Sequence, residues 1–142
     1  MDTQASESAD ETQVYREIEK ELGIQVVRME YKPKTMLLQR YVVDKAQKRA
    51  QMFYEYNGEV VVYSVYINSE DSSFGKQETD KIVANFEVDN NQSIIDVKEY
   101  EVEKYESHRF VAEFENYGMH YQLRAVMEKD EFKKFLKNLK IF

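Results

Sequence analysis

Phe53-Tyr54-Glu55-Tyr56-Asn57-Gly58-Glu59-Val60-Val61 decides the fold, together with its near copy Ala112-Glu113-Phe114-Glu115-Asn116-Tyr117-Gly118-Met119-His120-Tyr121. Each sets alternating aromatic or aliphatic side chains on both sides of a glycine turn, the strongest short-range signature of paired antiparallel strands. A two-residue Asn57-Gly58 turn places Tyr56 opposite Glu59, Tyr54 opposite Val61, Met52 opposite Tyr63 and Ala50 opposite Val65. That face is the core side. The other face carries Gln51, Phe53, Glu55, Val60, Val62 and Ser64 and is mixed. A Tyr117-Gly118 turn likewise pairs Phe114 with Tyr121, Ala112 with Leu123 and Phe110 with Ala125, leaving Glu115 opposite His120 and Glu113 opposite Gln122 on the reverse face.

The period changes on either side of these hairpins. Ser8 and Glu11 fit a capping box, Val14, Ile18 and Leu22 recur every four residues, and Gly23 stands where a left-handed cap is wanted. This predicts a helix over 9–22. From Ile24, Val27, Met29 and Tyr31 alternate as a first strand that ends at Pro33, the only proline. Leu37 to Val43 reads as a second strand with blurred alternation, and a helix over 37–50 stays open as the alternative. The polar stretch 68–75 is the longest expected loop. A third hairpin joins Lys81–Val88 to Ser93–Val102 around Asn90-Asn91, and Phe132, Phe135, Leu136 and Leu139 give an amphipathic helix from about 129 to 139. No strand-helix-strand alternation occurs, so the expected class is α+β. The expected architecture is a single curved antiparallel sheet of about eight strands, with an N-terminal and a C-terminal helix packed on one face. Residues 1–8 are expected as a disordered acidic tether and residues 9–142 as one domain.

The 142 residues suffice for a core without staples. With no cysteine, the chain has neither disulfides nor thiolate chemistry. The formal charge of -7 argues against general nucleic-acid binding. No apolar run approaches the roughly 20 residues that cross a bilayer.

Chemistry-bearing residues are few. The two histidines, His108 beside Phe110 and His120 beside Glu113 and Glu115, point to opposite sides of the sheet and cannot share a metal. Glu99, Glu101 and Glu103 lie on one strand face and read as a solvated edge. An acid–base role would need one of them, or Asp71, buried beside His120 or a tyrosine. The Asp71-Ser72-Ser73-Phe74-Gly75-Lys76 stretch matches neither a calcium loop nor a phosphate loop. No Gly-x-Ser-x-Gly elbow occurs. No catalytic residue, metal or cofactor is therefore expected. Lys32, Lys34, Arg40, Lys45, Lys48 and Arg49 face only Asp44 in the same stretch, a net +5, whereas residues 1–23 carry a net -5. The six cations are the candidate contact for an anionic or peptidic partner. Of the eleven tyrosines, with no tryptophan in the chain, most read as core margin.

Val26-Val27-Arg28-Met29-Glu30-Tyr31-Lys32-Pro33-Lys34, the first hairpin, and Tyr117-Gly118-Met119-His120-Tyr121-Gln122-Leu123 through Phe132-Lys133-Lys134-Phe135-Leu136 resemble the domain of unknown function 4367 family. The resemblance covers residues 24–142. It implies an extracytoplasmic C-terminal module of a membrane-anchored Firmicutes protein, with no catalytic residues to transfer. A chain that starts naturally at Met1 would instead be cytoplasmic. The expected function is a non-enzymatic binding or sensing module whose partner is a cell-wall polymer, an anionic membrane surface or a peptide. A structural spacer or interaction domain, or behind these a carboxylate-dependent hydrolase, is the alternative.

Overall fold

In a computed structural model, residues 8–67, 81–102 and 106–141 are described, with side chains from Glu11 onward. The expected loop at 68–75, Asp71, Glu103 and the Ser8 hydroxyl lie outside them. The order is α1 (Ser8–Leu22), β1 (Arg28–Met29), β2 (Leu37–Asp44), β3 (Arg49–Tyr56), β4 (Glu59–Tyr66), β5 (Lys81–Asp89), β6 (Ile94–Glu101), β7 (Arg109–Asn116), β8 (Met119–Val126), α2 (Lys129–Lys137) and β9 (Leu139–Lys140). Seven strands form one antiparallel sheet in the order β2-β3-β4-β8-β7-β6-β5, and β1 pairs with β9 in a small second sheet. The class is α+β, with a helix near each end of the chain. Among the described residues no helix is long and apolar enough to cross a membrane.

Both hairpin registers are those expected, residue for residue. The turns explain why. Asn57 and Gly58 have φ of 52° and 81°, and Tyr117 and Gly118 have 50° and 78°. Two consecutive residues at positive φ match the twist of the flanking strands. Tyr117 accepts this conformation with its ring 80 % exposed, so the turn and not the side chain sets the position. The two hairpins meet along β4 and β8, where Tyr63 lies opposite Leu123. These two residues hold equivalent places in their hairpins, so the junction is a local pseudo-twofold axis.

One core joins the inner sheet face to both helices. Val14, Ile18 and Leu22 of α1, Met52, Tyr54, Val61, Tyr63, Phe110, Tyr121 and Leu123 of the sheet, and Phe132, Phe135 and Leu136 of α2 belong to a single buried cluster. Gly23, at φ 69°, ends α1 while its N–H and that of Ile24 both reach the Glu19 carbonyl, the bonding of a left-handed cap. On the reverse face Gln51, Ser64 and Gln122 are buried as well. They are neighbours across β3, β4 and β8, and the Gln51 amide donates to the Ser64 hydroxyl at 3.2 Å.

The first strand corrects the expectation from Ile24 to Tyr31, since only Arg28 and Met29 pair, and with β9 rather than with the main sheet. The backbone of 26–29 is satisfied by side chains. Val26 N–H donates to Glu19 Oε2, Val27 N–H to the Tyr121 hydroxyl and Met29 N–H to the Tyr15 hydroxyl, while the Tyr63 hydroxyl donates to the Val27 carbonyl. A segment whose polar groups are met in this way needs no strand partner. All three of these tyrosines are buried, Tyr63 and Tyr121 on the faces where the hairpin registers put them. Residues 37–44 form a strand, and its blurred alternation has a cause: the register shifts between Leu38 and Arg40, so Gln39 is the extra residue of a bulge. The terminal helix stops at Lys137, and Leu139 is buried from a strand instead.

Asn90 closes the far end of α2. Its buried side-chain amide donates to the Leu136 carbonyl at 2.6 Å and to the Leu139 carbonyl at 3.2 Å. Asn90→Ala removes a buried side-chain donor from the Leu136 carbonyl in the last turn of α2 and from the Leu139 carbonyl of β9. The expected loss is about 1–3 kcal/mol of unfolding free energy, read from urea denaturation at unchanged slope.

Candidate functional site

The strongest cluster of chemistry lies where β6, the start of β7 and the β8–α2 junction converge. Ile95, Val97 and Glu99 share the inner face of β6, and Glu99 stands opposite Phe110 of β7. His108, just before β7, has the same parity as Phe110 and turns to the same side. Its Nδ1 is 2.5 Å from Glu99 Oε2, and Lys129 Nζ, at the start of α2, is 3.2 Å from Glu99 Oε1. The Glu99 side chain is only 10 % exposed. A cavity of about 470 Å³ opens over these groups, lined by Glu99, Glu106, Ser107, His108, Phe110, Met127, Glu128 and Lys129.

This arrangement corrects the reading of Glu99 as part of a solvated edge. β6 is an interior strand, with β5 and β7 on either side, and the edges of the sheet are β2 and β5. The carboxyl is also the base of the cluster. Burial alone would raise its pKa, but hydrogen bonds and charge from His108 and Lys129 outweigh that and hold it below the usual carboxylate range. It is therefore ionised near neutral pH and can only accept, so the shared proton sits on His108 Nδ1. The His108 ring lines the cavity, and no partner of its Nε2 is found among the described residues.

The sign of the pH dependence follows. A carboxyl whose folded pKa is depressed contributes stability above its unfolded pKa of about 4.3, and loses it as pH falls through the folded value. The stability difference between the wild type and Glu99→Gln should be largest above about pH 5 and should shrink on acidification. Urea midpoints measured from pH 7 to pH 3 check this; a difference that stays constant contradicts it.

A second cavity, of about 480 Å³, lies beside α1 and is lined by Glu11, Thr12, Tyr15, Arg28, Met29, Glu30 and Lys32. Glu11, expected as the capping carboxylate, is buried instead. Its Oε2 accepts from the Tyr54 hydroxyl at 2.5 Å and the Tyr15 hydroxyl at 3.5 Å, and its Oε1 lies 3.0 Å from Lys32 Nζ. Burial, then the charges of Tyr15 and Glu11, raise the Tyr54 pKa well above its ordinary value, so the hydroxyl keeps its proton.

The six candidate cations do not form one strip. Lys32 turns inward to Glu11. Lys34 is exposed ahead of β2. Arg40 lies on the outer face with its guanidinium 3.8 Å over the Phe53 ring. Lys45 and Lys48 are exposed on the β2–β3 turn, and Arg49 Nε is 3.8 Å from Asp44 at its base. Arg40 and Lys45 are five residues apart along an extended chain, roughly 17 Å. The structure thus brings Lys45, Lys48 and Arg49 together and leaves the other three apart. His120 is the cross-strand neighbour of Glu115 at 3.4 Å, stacked on Tyr66, and on the face opposite His108 as expected. Among the described residues no group of three or more His, Asp or Glu could hold a metal ion.

The family described as a domain of unknown function (DUF4367) matches residues 26–139, and the chain belongs to it. No curated protein and no solved structure matches the chain.

Proposed function

We propose that this DUF4367 domain is a non-enzymatic binding or sensing module, working outside the cytoplasmic membrane as part of a membrane-anchored bacterial protein, and that its ligand enters the cavity around His108. One observation carries the reading: an imidazole is oriented by a buried carboxylate, which a lysine holds in turn, and the ring lines a cavity of about 470 Å³. Ligand sites are concave, of this size, and built from an apolar floor with a few oriented polar groups. The extracytoplasmic placement rests on what the family resemblance implies.

Two features favour binding over turnover. A carboxyl acting as general acid near neutral pH needs a raised pKa, and that of Glu99 is lowered. Ser107 lines the same cavity but makes no hydrogen bond to the imidazole, so no activated nucleophile is formed. The basic residues are the weaker contact, because Lys32 and Arg49 are already engaged by Glu11 and Asp44.

A panel of small amines, carboxylates and sugars tests the proposal through the unfolding temperature. A ligand at 100 times its Kd stabilises by about 2.7 kcal/mol, a shift of several degrees for a domain of this size. At least one compound should raise the unfolding temperature and be recovered chemically unchanged after long incubation. Recovery of a reaction product would make the domain an enzyme.

A further inference from the structure

A third cavity, of about 240 Å³, opens on the reverse face of the sheet, and Arg109, Arg124, Val60, Val62, Val126 and Glu59 are among the residues that line it. Strand order, not chain order, assembles it. Val62 of β4 stands opposite Arg124 of β8, and Arg109 of β7 opposite Val126 of β8, so the two arginines are diagonal neighbours on one face, roughly 7–8 Å apart. The apolar part is accessible, since Val60 is 60 % exposed and Val62 half-buried. A second observation concerns the surroundings. From Val62 the cross-strand row runs to Phe53 and Arg40 on one side, and through Arg124 and Val111 to Lys98 on the other, without a carboxylate. The Arg40 guanidinium leans along this row, 3.8 Å over the ring of Phe53, which is the neighbour of Val62. Two cations and one carboxylate, Glu59, thus line the cavity, and the row that crosses it is basic and apolar, in a protein whose formal charge is -7.

We propose that this cavity binds an amphiphilic monoanion, a carboxylate or phosphodiester on a short alkyl chain, with the oxyanion held by Arg109 and Arg124 and the chain laid on Val60 and Val62. The inference is independent of the His108 cavity, which belongs to the other face. A guanidinium fork matches the paired oxygens of such a head. Each arginine has a further contact of its own, which it need not give up, because a guanidinium carries five donors. Glu59 balances one of the two cations, so a single negative charge completes the set. A cationic ligand meets two like charges there. The volume lies below the range of about 300–1,000 Å³ that holds drug-sized ligands, which makes the ligand a short one.

Hexanoate and methyl hexyl phosphate separate the two sources of the head group. Each is titrated into the nitrogen-15-labelled 142-residue protein while the side-chain Nε–H resonances of Arg109 and Arg124 are followed, with hexylammonium as the control. At least one anion should shift both arginines saturably, the tighter identifying the head group, and hexylammonium should not. Val60→Glu adds a carboxylate beside the arginines at an exposed position, and it should weaken binding at least about tenfold. Val42→Glu, at an exposed valine of the same face two strands away, changes the net charge equally and should stay within about twofold of the wild type. Unchanged affinity in Val60→Glu overturns the proposal, and so do equal losses in the two variants, which would reduce the effect to overall charge. A shift with hexylammonium equal to that with the anions overturns the ligand class. No shift at either arginine with either anion overturns the site.

Discussion

Phe132→Ala is expected to lower the unfolding free energy by about 3–5 kcal/mol, the range for a phenyl ring removed from a packed core. The ring has no exposed surface and stacks on Phe110, with centroids 5.2 Å apart and planes 19° from parallel. Phe110 in turn meets Phe86 edge-on at 6.3 Å, so one column of rings ties α2 to β7 and β5. The loss joins the transfer energy of the ring to the cavity it leaves, since β7 and β5 fix the neighbouring rings and limit collapse of the site. Urea denaturation gives the value. A loss under about 1 kcal/mol would mean that α2 is not docked as described. Because Phe110 also floors the His108 cavity, the variant should weaken ligand binding there even at temperatures where it is folded.

Lys32→Met is expected to cost about 3–5 kcal/mol, although lysine is ordinarily among the most replaceable residues. The reason is the partner it leaves behind. Glu11, with its side chain 7 % exposed, would keep its hydroxyl donors, Tyr54 and Tyr15, and lose the cation that balances it. Removing one member of a largely buried pair leaves the other charge without its partner. The double variant Glu11→Gln, Lys32→Met should recover most of the loss. Lys34→Met, on an exposed residue nearby, should stay within about 0.5 kcal/mol of the wild type. Were Lys32 a surface contact for an anionic partner, its loss would leave stability unchanged and weaken binding instead.

The hairpins were legible because nothing outside them was needed. Alternation fixes the face, the glycine turn fixes the register, and both follow from local geometry. The helices were legible from their spacing, and one end was not: Leu139 keeps the apolar period of α2 and yet belongs to a strand. The segment 26–29 resisted for a different reason, since hydroxyls of Tyr15, Tyr63 and Tyr121, distant in the chain, answer its backbone groups.

The candidate site was half legible. His108 was placed on the apolar face by its spacing from Phe110. Its partner was missed, although the signal was present: Glu99 follows Ile95 and Val97 at intervals of two, so the same alternation that buries them turns Glu99 inward. Three glutamates at alternate positions suggested a charged edge, and only strand order, a long-range property, shows that β6 is interior. Lys129 comes from another element altogether. The basic residues illustrate the reverse. Their nearness along the chain suggested one surface, and only Lys45, Lys48 and Arg49, at the β2–β3 turn, come together.

The claim that the ligand enters at His108, and not at the basic turn, is tested most directly by one comparison of affinities. The tightest compound found for the wild type is titrated into His108→Gln and into the double variant Lys45→Gln, Lys48→Gln, both changes being at partly or fully exposed side chains. The account predicts that binding falls at least about tenfold in His108→Gln and stays within twofold in the lysine variant. Unaltered affinity in His108→Gln with a loss in the lysine variant would move the site to the β2–β3 turn and contradict the account.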